Sequence, residues 1–246
     1  MEGSAKIDGS GITVHEPASR EPESHAADWR QSKWLALGEL LVVVLIFVAD
    51  ASDLIPFSKT PFLLVLGWIS LWVRKIGWRD VGLTLYRSWQ ITMAVGVGAG
   101  ILLETFQLFI TQPLLVWLLG KPPDLDVFRE LTGNLKQTLI FLALTWTLGA
   151  FGEEMVYRGY LMNRVAGLLN RTRHAWIVSL VAVHLAFGLA HAYQGVTGII
   201  EESFAGLLLG VIYLGTGRNL AVPIIAHAIG NSIDFVLIYL GKYPGM

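Results

Sequence analysis

The sequence predicts an all-α protein, a polytopic transmembrane bundle of about seven spans, and three observations carry that prediction. Of its 246 residues 54% are hydrophobic and only 15% are charged, against roughly 25% charged in an ordinary soluble domain. The apolar residues gather in repeated runs of spanning length, separated by polar connections. Lysine and arginine concentrate in every second connection, which is the pattern of loops that stay in the cytoplasm.

Residues 1–30 are polar, rich in Gly, Ser, Glu and Pro, and lack the apolar stretch of a signal peptide, so they read as a disordered cytoplasmic tail. Residues 31–246 form the membrane domain. The first span runs from Trp34 to about Val48 and leaves through Asp50, Asp53 and Pro56. The second, about Pro61 to Val73, is short and exits into Arg74, Lys75, Arg79 and Arg87. The third, about Trp89 to Thr111, carries Gly96, Gly98 and Gly100, which allow a neighbouring helix to approach closely.

Residues 112–134, with Pro113, Pro122 and Pro123, are the longest polar connection and are expected to hold an amphipathic surface piece. The fourth span extends from near Leu135 to about Leu161, the fifth from Ala175 to Ala192, the sixth from Thr197 to Leu214 and the seventh from Leu220 to Leu240. With the N-terminus in the cytoplasm, 12 of the 18 Lys and Arg residues lie on the cytoplasmic side and 5 on the other. The expectation is a multi-pass integral protein of the cell membrane, the inner one where there are two, N-in and C-out. Trp34, Trp89 and Trp176 suit the interfacial belt.

Composition also excludes. A net charge of −1 predicts no nucleic-acid partner, and the absence of cysteine removes disulfides, thiolate-ligated zinc, iron–sulfur clusters and a cysteine nucleophile.

Inside the fourth span stand Glu153, Glu154 and Arg158. A charge at bilayer depth costs at least ~2.5 kcal/mol and marks function by default. Glu154 and Arg158, four residues apart, share a helix face and pair, while Glu153 points about 100° away over Tyr157 and stays available. Polar residues recur at helical spacing later: His184, Phe187 and His191 in the fifth span, His227, Asn231 and Asp234 in the seventh. Two imidazoles, an amide and two carboxylates in a dry site supply a base for water, a proton shuttle and donors for an oxyanion. His184 reads as an interhelical hydrogen-bonding residue, and Glu39 and Glu104 as packing groups satisfied by neighbours. Glu201 and Glu202 read as structural acids at the start of the sixth span, and Asp234 as a support for Asn231.

Glu153-Glu154-x-x-x-Arg158, Phe187-x-x-x-His191 and His227-x-x-x-Asn231 resemble, in order and placement, the three motifs of the CPBP family of CAAX proteases and bacteriocin-processing enzymes, which includes the type II CAAX prenyl endopeptidases. The resemblance covers about residues 134–240, including the Thr-Gly-Arg-Asn turn at 216–219. It implies an intramembrane glutamic endopeptidase with its cavity between spans four, five and seven. Glu153 would be general base on a water shared with His191. Glu154, fixed by Arg158, would polarise the site, and His227 with Asn231 would stabilise the oxyanion. The substrate would be a prenylated (CAAX) or other membrane-proximal peptide. No cofactor is required; were zinc to bind, Glu154, His191 and His227 would be its ligands, although His-Glu-x-x-His is missing. The rival readings are a silent immunity or regulatory scaffold and, disfavoured by the lack of an internal repeat, a proton-coupled transporter.

One geometric difficulty is visible in advance. In straight helices His191 would lie ~25 Å along the fifth span and Glu153 only ~15 Å from the end of the fourth.

Overall fold

The computed structural model describes residues 29–56 and 58–245. Of the expected tail, all but Trp29 and Arg30 lies outside the described residues, and these two open a 3-10 turn, Trp29–Gln31. Among the described residues every regular element is helical. They are α1 (Lys33–Ala51), α2 (Thr60–Val73), α3 (Trp89–Leu119), α4 (Leu135–Leu168), α5 (Arg173–Leu189), α6 (Gly195–Gly215) and α7 (Ala221–Tyr239). Five are long and apolar enough to cross a membrane: α1, α3, α4, α6 with its lead-in turn, and α7. The helices α2 and α5 are apolar but shorter.

Local chemistry sets the starts. The side-chain oxygens of Ser32, Ser88, Asn134 and Thr172 each accept a hydrogen bond from an N–H of the first turn of α1, α3, α4 and α5, satisfying donors that the helix leaves unpaired. Asn219 does the same for Val222 at the head of α7. Gly120, in the left-handed region at φ 73°, ends α3.

Three boundaries differ from expectation. The third helix does not stop at Thr111 but continues to Leu119 through a π-helical turn, Gln107–Thr111. Pro113 follows that turn; proline has no N–H and crowds the carbonyl four residues back, and a widened turn there removes the conflict without breaking the helix. The connection that remains carries a 3-10 turn, Asp126–Leu131, which buries Leu131, in place of an amphipathic helix. The fourth helix runs on to Leu168, with π-helical stretches Thr145–Gly152 and Met155–Leu161 on either side of the Glu pair. The fifth ends at Leu189, so His191 lies just beyond it.

The longer α4 largely removes the depth difficulty. Glu153 stands roughly 22 Å from Leu168, and His191 roughly 27 Å from the start of α5, at 1.5 Å per residue.

The helix α4 is the central element, contacted by α1, α2, α5 and α7, while α3 packs along α7 and α5 along α6. Outward faces stay apolar: Leu41, Leu45, Trp72, Phe109 and Trp117 are exposed, as lipid-facing side chains are. Close approach is made by glycine. A Cβ on Gly96 would lie 2.7 Å from Ile225 Cβ and one on Gly100 2.5 Å from Ala226 O, whereas Gly98 meets nothing.

Loops alternate between two faces of the bundle. On one, Leu220 N donates to Gly82 O at 2.8 Å and Asn219 Nδ2 to Thr84 O at 2.6 Å. On the opposite face Asp124 N donates to Gln194 O at 2.9 Å and Thr197 Oγ1 to Lys121 O at 2.8 Å. Near the first face, Glu39 bridges Arg74 (3.2 Å) and Arg164 (3.0 Å), all three buried, joining α1, α2 and α4.

Candidate active site

Glu154 and Arg158 are both fully buried, and Arg158 Nη1 donates to Glu154 Oε1 at 2.6 Å. The pairing expected from their spacing is present, but it is only part of the arrangement. Arg158 Nη2 donates to the carbonyl of Gly206 in α6 at 2.7 Å, and the guanidinium lies over the Phe187 ring at 5.1 Å. A carbonyl on α6 is reachable because Gly206 has no side chain: a Cβ there would meet Phe187 Cδ1 at 2.9 Å.

Glu154 Oε1 is also 2.9 Å from His227 Nδ1. In that contact Nδ1–H donates to the carboxylate, which leaves Nε2 as the ring atom nearer Glu153, 4.0 Å from its Oε2. Too long for a direct hydrogen bond, this separation suits an intervening atom. Glu154 therefore orients His227 in addition to being neutralised by Arg158.

Phe187 is the hub of the aromatic packing. Its ring meets Tyr157 at 4.9 Å, His191 at 4.8 Å and His227 at 6.3 Å between centroids. His191, past the end of α5, is held by a hydrogen bond between Nδ1 and Phe187 O at 2.9 Å. The i, i+4 link of the second motif thus survives although the helix has stopped.

Glu153, His191, His227, Asn231 and Asp234 all line one cavity of ≈ 1340 Å³. It extends to the face opposite the Asn219–Thr84 contact, and we take its end there, lined by Asp53, Lys59, Pro123 and Gln194, as the mouth. The walls are not limited to spans four, five and seven, since Val43 and Phe47 of α1, Thr60 of α2 and Glu201 and Glu202 of α6 contribute. A side pocket between α3, α6 and α7 adjoins it, lined by Glu104, Gln107, Glu202 and Asp234.

Several expected roles shift. Asp234 meets the carboxyl of Glu104 across the α3–α7 contact, while its Oδ1 takes no hydrogen bond; support of Asn231 is not the contact it makes. Glu104 is correspondingly not satisfied by an ordinary donor, for its Oε1 is also unpaired. His184 bonds within its own helix, Nδ1 to Leu180 O at 2.5 Å, and its ring packs on Gly206 and Gly210 rather than bridging helices. Glu201 and Glu202 stand six and seven residues into α6, which begins at Gly195, and both line the cavity. Lys59 was not singled out by sequence. It binds Asp50 at 2.8 Å and Ala190 O at 3.0 Å, beside His191.

The set Glu154, His191 and His227 does not fit a metal. Glu154 is committed to Arg158 and to His227 Nδ1, and among the described residues no group of three or more His, Cys, Asp or Glu side chains is arranged to hold one.

Searches of the curated proteins and of the solved structures returned no match. Helices long and apolar enough to cross a membrane, together with a stretch that matches the model of a protease family, point to an integral membrane protein. All three motifs lie inside the matching stretch: across residues 135–233 the chain carries a domain that matches the family model Type II CAAX prenyl endopeptidase Rce1-like.

Proposed function

We propose that the protein is an intramembrane endopeptidase in which Glu153 activates water without a metal. The observation that carries this reading is the division of labour between adjacent carboxylates: Glu154 is fully buried and held by Arg158 and His227, whereas Glu153 keeps 18% of its side chain exposed toward the cavity. Water held between Glu153 and His191 loses a proton to Glu153, and the hydroxide attacks the scissile carbonyl carbon. His227, in its protonated state, donates from Nε2 and Asn231 from its amide to the tetrahedral oxyanion. As the C–N bond breaks, the leaving nitrogen takes the proton back from Glu153. Glu154 is a positioning residue, acting through His227.

The apolar half of the cavity, with Val43, Phe47, Leu144 and Phe235, suits the side chains or the lipid of a membrane-proximal peptide, prenylated or not. The test is cleavage by the purified full chain in liposomes. Glu153→Gln and His191→Ala are expected to lower the rate about 10²–10⁴-fold, the usual worth of a positioned acid–base group, with the thermal midpoint little changed. Cleavage that survives both substitutions sinks the reading, and a peptide-binding phenotype that survives them points to a scaffold.

A further inference from the structure

One wall of the cavity that Glu153 lines is acidic. Glu201, Glu202 and Asp234 line it, whereas the one Lys or Arg among the described residues lining the cavity is Lys59, already bound to Asp50 and Ala190 O. Glu201 is only 2% exposed, yet its Oε1 has no hydrogen-bond partner. A buried carboxyl oxygen without a donor is costly unless something arrives to satisfy it. Glu202 lies between this wall and the side pocket, lining both.

An inorganic cation fits poorly, because these carboxyls are not gathered into a group able to hold a metal. A long side chain ending in several N–H donors fits better, since it can reach separated carboxyls and present more than one hydrogen bond. Resting on the peptidase reading, we propose that Glu201, Glu202 and Asp234 form a subsite for a basic residue, arginine or lysine, of the substrate peptide. Glu202 is the specificity-determining member because it is the more accessible glutamate.

The experiment uses the full chain in liposomes with a pool of octapeptides containing arginine at successive positions and a matched pool with citrulline, which keeps the shape and removes the charge. Products are read by mass spectrometry, and binding to the Glu153→Gln variant by fluorescence anisotropy. Arginine is expected to be preferred by at least about tenfold at one position relative to the cleaved bond, equivalent to roughly 1.4 kcal/mol. Glu202→Gln should shrink that ratio, and Glu202→Lys should invert it. Cleavage with no preference between arginine and citrulline overturns the subsite and leaves the peptidase reading standing. No cleavage, with arginine-selective binding that Glu202→Gln removes, keeps the subsite and removes the peptidase. Saturable calcium or magnesium binding lost in Glu202→Gln, without arginine selectivity, overturns it in favour of an inorganic cation.

Discussion

Arg158 shows how far a single residue can be read from sequence. Its partner Glu154 follows from helical spacing alone, but the Gly206 carbonyl and the Phe187 ring come from two other helices and have no local signal. His227 is the same case: its motif is legible, and its bond to Glu154, which links the first motif to the third, is not. Because Arg158 is fully buried, Arg158→Ala strands a carboxylate with one imidazole for company. We expect a loss of roughly 3–5 kcal/mol of stability, the usual penalty for breaking a buried pair from one side, seen as a lower thermal midpoint in detergent. The double variant Arg158→Ala/Glu154→Gln should recover part of that loss. No recovery would mean that the guanidinium stabilises through Gly206 and Phe187 instead.

At the scale of elements, the apolar runs gave the seven helices, and the errors fell where helical geometry departs from the α form. Pro113 carried a usable signal, since a proline inside an apolar run breaks, kinks or widens the helix, and here the helix widens. The π-helical stretches of α4 had no proline to announce them. They fall where Gly149, Gly152 and Gly159 bring α4 against Asn231, Thr60 and Leu220, contacts that exist only in the folded bundle. The glycines of α3 were legible as a group, but which of them faces a neighbour depends on the register of α7. Gly100→Leu should therefore lower stability by about 1–3 kcal/mol through overpacking, while Gly98→Leu, which points into open space, should leave the thermal midpoint near that of the parent. Equal effects at the two positions would contradict the α3–α7 packing.

For the whole molecule, the alternation of loops joins the charge bias read from the sequence to the side on which the structure places the cavity mouth. The face stitched together by Gly82, Thr84, Asn219 and Leu220 carries Arg74, Arg79, Arg171 and Arg218, whereas the cavity opens on the opposite face, past Asp53, Pro123 and Gln194. If the basic face is cytoplasmic, as its charge predicts, the catalytic mouth is turned away from the cytoplasm. A peptide exposed on the outer side then reaches Glu153 directly, and a lipidated cytoplasmic C-terminus would have to cross the bundle to do so. The absence of native cysteine makes this orientation measurable with single introduced thiols. Asp80→Cys lies on the basic face and Glu130→Cys on the face of the mouth, both at exposed positions. In intact cells a membrane-impermeant maleimide should label Glu130→Cys and spare Asp80→Cys until the membrane is permeabilised. The reverse pattern would put the mouth in the cytoplasm and return a prenylated cytoplasmic peptide to first place among substrates.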